Sequence, residues 1–363
     1  NTYKNDGKRV SVALSTGDDV ALEPSELGAF DIIITTNERL DSIIRHRVKW
    51  MEKVGLFVFD EVHLLDDESR GGTLEFVLTE INSWYSNAQL LALSATVKNY
   101  SEIASWLGLD GVYDEWRPVT LLEGVAYDDR IIFSNGDAGV NLPARTVIIN
   151  SIYRFNEDRR EPIKVMEYKQ MAGRAGRPKY DKIGKCILLA QDEYQVDLYL
   201  DRYARGEPES ISSKLLLKDV STMVLALISI LGYASYEKIK EFFDRTLYAK
   251  QNGPLDVPIR ESIEFLSSNG FILMAKNGKY RTSPLGDLTA KLYVSPRTAL
   301  SFIRAGEELK KWDDPTLPII CLLASSEDMD PKLASRRKDE VELYQLLSVE
   351  YELEPFLSDD CSS

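Results

Sequence analysis

The stretch Val54-Gly-Leu-Phe-Val-Phe-Asp-Glu-Val-His-Leu-Leu65 decides how this chain is read. Leu56 to Phe59 form a short apolar run with β-branched and aromatic members, the pattern of a strand buried on both faces of a parallel sheet. Two carboxylates, Asp60 and Glu61, end the run abruptly. Open α/β sheets bind ligands at the carboxyl ends of their strands. There one carboxylate can hold a hydrated Mg²⁺ on nucleotide phosphates while its neighbour orients a water. The same two acids would also suit the start of the next helix, whose dipole favours negative charge. The rest of the chain has to choose between these readings.

A chain of 363 residues with 44% hydrophobic content is long enough for two to four domains with real cores. Its net charge is −14, so a nucleic-acid partner would have to be gripped by local patches against a repulsive overall field. Cys186, Cys321 and Cys361 are odd in number and far apart, which suggests neither a disulfide framework nor a zinc site. The longest apolar run, around Met223 to Leu231, is too short to cross a bilayer, and the N-terminus has no signal-peptide pattern. The expected location is therefore cytoplasmic, with no membrane partner.

Outward from the central stretch, strands and helices alternate. Residues 8 to 14 alternate like a strand, Phe30 to Thr36 form a second, and Asn37 to His46 carry apolar residues at helical spacing. After Leu56–Phe59 come a helix from Gly72 to Trp84, a strand at Gln89–Leu93 ending in Ser94-Ala95-Thr96, and a helix from Tyr100 to Leu107. Further on, Gln170-Met-Ala-Gly-Arg-Ala-Gly-Arg-Pro178 sets two guanidiniums three residues apart, on one helical face if the segment is helical. Guanidinium suits phosphate because its planar fork donates two parallel charge-assisted hydrogen bonds.

Four of these stretches, in order, resemble the motifs of superfamily 2 helicases of the Ski group. They are Asp60-Glu-Val-His63 (motif II), Ser94-Ala-Thr96 (motif III), Ala138-Gly-Val-Asn-Leu-Pro-Ala-Arg145 (motif V) and Gln170 to Pro178 (motif VI). The likeness looks closest to the archaeal Holliday-junction-migration helicases of DNA repair. It implies ATP and Mg²⁺ as cofactors and an α/β fold with two RecA-like, doubly wound parallel-sheet motor domains, followed by a winged-helix domain and a helical domain. It also implies roles. Asp60 holds Mg²⁺ through water, Glu61 polarises the attacking water, and His63 relays nucleotide state to the coupling residues Ser94 and Thr96. Gln170 links toward the water or phosphate, Arg174 and Arg177 meet the γ-phosphate, and Gly139 lines the nucleotide site. Thr36, Arg45, Asn141 and Arg145 contact nucleic acid. Without the acids beside it, His63 would equally suit an ordinary, partly buried histidine.

The segments Ser151–Phe155 and Pro162–Met166 flank a polar tip and predict a long β-hairpin. By the resemblance it parts the duplex, with Tyr153 and Phe155 stacking on the first base pair. A charged tip that guards a sheet edge is the alternative. The expected domains are residues 1–124 (first motor), 125–198 (partial second motor, hairpin at 151–166), 199–289 (winged helix) and 290–363 (start of the helical domain). In 199–289, helices at 214–231, 236–245 and 257–268 precede a hairpin turning at Asn277-Gly278. Arg260 in the third helix sits beside Glu261 and Glu264, so that helix is expected to pack against the motor rather than read base edges.

No Gly-x-x-x-x-Gly-Lys-Ser/Thr phosphate loop occurs in the sequence, and only about sixty residues separate Val125 from Cys186 where a doubly wound domain needs more than ~100. Both motor domains are expected to be incomplete, lacking residues before Asn1 and around Asp137-Ala138. The activity expected is ATP-dependent 3′ to 5′ translocation on single-stranded DNA and unwinding of forked or branched duplexes, by a monomer associated with the nucleoid. A Ski-type RNA helicase and a non-hydrolysing nucleic-acid scaffold are the alternatives.

Overall fold

Two apolar runs expected as strands, Lys8–Ser15 and Ile32–Thr35, pair in parallel, whereas Leu56–Phe59, expected to be buried on both faces, leaves Leu56 and Val58 exposed. The computed structural model describes residues 2–5, 8–16, 22–114, 116–117, 119–128, 130–133, 146–156, 159–176, 181–326, 328–329 and 346. The chain is mixed α/β and divides into two compact units. One contains Asn1–Gly55, Glu68–Gln89 and Ser213–Ser363, and the other Leu56–Asp67 and Leu90–Ser212.

In the first unit the strand Lys8–Ser15 pairs in parallel with Ile32–Thr35, Val12 opposite Ile32, and antiparallel with Thr2–Asn5. The helix Asn37–Arg45 starts where Thr36 Oγ1 accepts the Arg39 N–H at 3.2 Å, a side-chain N-cap. The helices Val220–Leu231, Tyr236–Phe243 and Asp256–Ser268 share one core with the hairpin Ile272–Met274 and Tyr280–Thr282. Gly278 turns that hairpin at φ +73°, where a side chain would be strained. The helix Gly71–Trp84 joins the same core. Its Phe76 ring lies edge-on to Phe242 at 5.2 Å and Trp84 stacks on Phe242 at 5.4 Å.

The segment 214–231, expected as one helix, is broken. A 3₁₀ turn at Leu215–Leu217 ends, and a new helix starts where Asp219 accepts the Ser221 N–H at 3.0 Å. A capping carboxylate at that point satisfies an orphan helix donor, which apolar continuity cannot do. Within the expected helical domain, residues 330–363 lie outside the described residues, apart from residue 346.

In the second unit Leu56–Phe59 pairs with the strand Gln89–Ala92, which enters the unit at Leu90. Leu93 N–H donates to Phe59 O at 2.8 Å and Val62 N–H to Leu93 O at 2.9 Å, so both strands end side by side. A four-stranded sheet runs in the order Arg130–Phe133, Thr120–Tyr127, Ile183–Leu189, Thr146–Ile149; the first pair is antiparallel and the others parallel. The helix Val165–Gly173 and the segment 193–204 cover it through Tyr168, Val196 and Tyr203. The hairpin is shorter than expected: Tyr153–Asn156 pairs with Arg159–Pro162, and 165–173 is helical. Glu167 reaches back to the Lys164 N–H at 3.2 Å, half of a capping box that the apolar alternation concealed.

One buried acid makes the first unit sensitive to pH. Glu75 Oε1 accepts the Tyr248 N–H at 2.7 Å and Oε2 accepts the Ser213 hydroxyl at 2.5 Å. Burial outweighs these bonds and pushes its carboxyl up to about 7. The folded state therefore holds this proton more tightly than the unfolded state, and stability is lost as pH rises from about 4.5 to about 7. Glu75→Gln keeps the shape and removes the titration. In denaturant unfolding at a series of pH values, wild type should lose roughly 3 kcal/mol relative to Glu75→Gln across that window. A pH-independent difference would contradict this.

Candidate functional site

Two strand ends lie side by side in the second unit, and from them leave Asp60–His63 and Ser94–Thr96. Asp60 is exposed, and its Oδ1 accepts the N–H of Glu61 at 2.9 Å. Glu61 itself is left-handed, φ 56° and ψ 42°, a conformation that costs a non-glycine residue roughly 1–2 kcal/mol. Its side chain is 60% exposed. The twist lets the chain turn at once into the 3₁₀ helix Val62–Asp66, which buries His63.

His63 joins three motifs. Its Nδ1 accepts the Ala95 N–H at 3.3 Å and lies 3.3 Å from Glu61 Oε2, while Nε2 meets the side-chain amide of Gln170. Burial lowers its pKa, although Glu61 and Asp60 oppose that, so the ring is neutral at pH 7. A backbone N–H cannot reverse its role. The Ala95 N–H therefore faces Nδ1 as a donor, and the Gln170 amide nitrogen lies against Nε2, so the ring is held at both nitrogens. Ser94 and Thr96 are exposed, and the Ser94 hydroxyl donates to the carbonyl of Ala95 at 2.8 Å.

Gln170 belongs to the helix Val165–Gly173, which stops before the arginine pair. Arg174 is the exposed C-cap and Gly176 is left-handed at φ 86°. The condition for a shared helical face, a helix continuing through Arg174, is therefore not met. The turn lies against the sheet: a Cβ on Gly184 would fall 2.5 Å from Ala175 O, and one on Gly176 would fall 2.6 Å from Val119 Cγ1. Arg117 Nη2 donates to Gly173 O at 3.2 Å, satisfying a carbonyl at the helix end. Arg177, Gly139, Asn141 and Arg145 lie outside the described residues.

Tyr153 is exposed on the hairpin, with the Arg160 guanidinium 4.6 Å over its ring. Phe155 lies in the same strand. In the first unit, Thr36 serves as a helix cap and Arg45 is only 3% exposed. Arg45 grips Asp41 through Nε and Nη2 at 2.8 and 2.7 Å and stacks 4.4 Å over Tyr293. Read from sequence as a nucleic-acid contact, it is instead a buried packing residue, because a fully engaged fork cannot also reach a phosphate.

The sequence reading passed over Asp66, Lys164 and Glu209. Asp66 pairs with Lys164 and accepts the Ser212 N–H and hydroxyl at 3.2 and 2.8 Å. Those bonds hold its carboxyl below the usual range although burial opposes them. In sequence it is one of two adjacent aspartates after Leu65, indistinguishable from a solvated turn.

The DEAD/DEAH box helicase family matches residues 1–103. The ATP-dependent DNA helicase Hel308 of Pyrococcus abyssi is 29% identical over 457 aligned residues, covering 93% of this chain and 63% of its own length. The Hel308 proteins of Pyrococcus horikoshii (28%, 89% of this chain, 60% of its own) and Methanocella arvoryzae (29%, 93%, 61%) are similar in the same way. Along most of its length the chain is thus similar to the Hel308 helicases. It spans about three fifths of the length of these relatives. An alignment of 457 positions against a 363-residue chain leaves at least 94 positions filled only by the relative, so the Pyrococcus abyssi protein carries residues inside the matched span that this chain lacks.

The strain at Glu61 gives a direct test. Glu61→Gly should be about 1 kcal/mol more stable to denaturant than Glu61→Ala, because only glycine adopts the left-handed turn freely. Equal stabilities would mean that Glu61 does not hold this conformation in solution.

Proposed function

We propose that this chain is the greater part of an ATP- and Mg²⁺-dependent DNA helicase that moves 3′ to 5′ on single-stranded DNA and opens forked or branched duplexes in repair. The observation that carries the reading is the neutral His63 imidazole between Ala95 of motif III and Gln170 of motif VI, next to Asp60 and Glu61. Similarity to the Hel308 helicases along most of the chain supports the same reading. The two motor domains are RecA-like, and the helices and hairpin of 199–289 form a winged helix. The segment that the relative carries in addition falls near Asp137-Ala138, where the motif spacing is too short.

The acids fit a hydrated Mg²⁺. Asp60 is an exposed hard-oxygen donor with one oxygen engaged by Glu61 N–H and the other open to a metal-bound water. Among the described residues no three His, Cys, Asp or Glu gather as a metal site, so phosphate oxygens and waters would supply the remaining ligands. When bound, Mg²⁺ neutralises charge on the phosphates undergoing transfer. Glu61, exposed and turned outward by its left-handed backbone, orients the attacking water and accepts its proton. Arg174 and Arg177 stabilise the charge that develops on the γ-phosphate, a contribution of about 10³ to 10⁵ in rate for such arginines. Gly139 approaches the nucleotide, and Asn141 and Arg145 hold the nucleic-acid backbone. Tyr153 and Phe155 stack at the fork.

The test is ATP hydrolysis by the full-length protein, alone, with single-stranded DNA and with RNA. DNA should stimulate it, and Glu61→Gln should lower the stimulated rate by at least about 10² while leaving DNA affinity unchanged. Stimulation by RNA alone would favour an RNA helicase. Absence of hydrolysis under all conditions would leave a non-hydrolysing nucleic-acid scaffold and overturn the proposal.

A further inference from the structure

We propose that the segment Glu207–Ser212 is a clasp that sets the motif II turn and the motif VI helix against each other, with Asp66 and Glu209 as its positioning residues. The proposal deepens the ATP-driven reading and rests on it.

The bonds are unusually dense for a connecting stretch. Glu209 Oε1 accepts the Val165 N–H at 2.8 Å and its Oε2 accepts the Met166 N–H at 3.0 Å. A carboxylate from outside the helix thus satisfies two of its four orphan donors at the positive end of its dipole. Two residues on, Ile211 is held at both polar backbone atoms: its N–H donates to Asn99 Oδ1 at 2.8 Å and its carbonyl accepts from Asn99 Nδ2 at 2.9 Å. Asn99 stands three residues after Thr96. Ser212 then gives both its N–H and its hydroxyl to Asp66, whose other oxygen pairs with Lys164 at the head of the motif VI helix. A short run of chain therefore touches motif II, the exit of motif III and the start of motif VI, all within one unit.

Geometry makes this a positioning device rather than simple packing. In a 3₁₀ helix residues i and i+3 lie on one face, so His63 and Asp66 both point at the motif VI helix. Each has a partner there, Gln170 and Lys164. These partners are six residues apart, roughly 9 Å along a helix. A single contact would act as a pivot, whereas two at that separation fix the helix in rotation. Asp66 locks the far contact, and Glu209 keeps the helix start from shifting while Gln170 and Arg174 respond to nucleotide.

The test uses the full-length protein and measures ATP hydrolysis with and without an oligothymidine strand. Asp66→Asn removes the pairing with Lys164, and Glu209→Gln faces one helix N–H with a donor in place of an acceptor. Lys98→Ala, which cuts only the exposed pair with Glu207, is the control. Both clasp variants should lower the DNA-stimulated kcat by about tenfold, with KM for ATP within about twofold and unstimulated hydrolysis nearly unchanged. A lowered melting temperature with a normal stimulation ratio would reduce the clasp to a structural tie and overturn the proposal. If Asp66→Asn fails to fold, the half-buried Glu209→Gln decides alone. Wild-type protein that hydrolyses ATP without DNA stimulation, or not at all, would instead defeat the underlying helicase reading and remove the coupling that the clasp serves.

Discussion

A buried imidazole held at both of its nitrogens is the constraint on which the arrangement of these residues depends. His63 is buried and cannot readily take up a proton, and the Ala95 N–H donates to its Nδ1. Its Nε2 meets the side-chain amide of Gln170. Buried polar groups of this kind tolerate few arrangements, since an unpaired donor or acceptor costs about 1–3 kcal/mol. The ring thus lies between Gln170 of the helix Val165–Gly173 and the backbone of Ala95. A histidine that stayed charged would lose the acceptor at Nδ1, and with it the link.

Several locally unfavourable features surround that ring. Glu61 sits left-handed, two glycines bring the arginine turn and a strand into backbone contact, and Asp66 is a buried carboxylate held by Lys164 and Ser212. Each would be cheaper to avoid. Strained backbone and buried charge persist where the surrounding structure over-determines them, and they concentrate at functional sites. Here they cluster within the residues that carry motifs II and VI. The buried Asp41–Arg45 pair in the first unit is of another kind: it sits among helices, with an aromatic ring over the guanidinium.

The fold was legible in the sequence wherever one period dominated. Leu56–Phe59, Gln89–Ala92 and Tyr100–Leu107 form at or within a residue of the expected bounds, because apolar spacing and small hydroxyl residues at strand ends act locally. The reading failed where capping overrode that pattern. Asp219 split an apolar stretch that looks continuous, and Glu167 with Glu209 turned an apparent strand into a helix start. Asp60, Glu61, His63 and Gln170 stand out in the sequence because their order along the chain is distinctive, and the structure brings them near one another. Asp66 and Glu209 do not stand out, since their partners lie 98 and 43 or 44 residues away. Arg45 was misread for the converse reason: a basic residue at a helix end looks like a phosphate contact until its fork is seen to be occupied.

The most direct test of the account is a double-mutant cycle on His63→Ala and Gln170→Ala, read as the DNA-stimulated kcat of the full-length protein. Groups that act through one contact are non-additive, so the double variant should be no slower than the slower single variant, with a coupling energy on the order of 1–3 kcal/mol. If the two losses multiply, with coupling below about 0.5 kcal/mol, the imidazole does not join the two motifs, and the site assembled around it here is wrong.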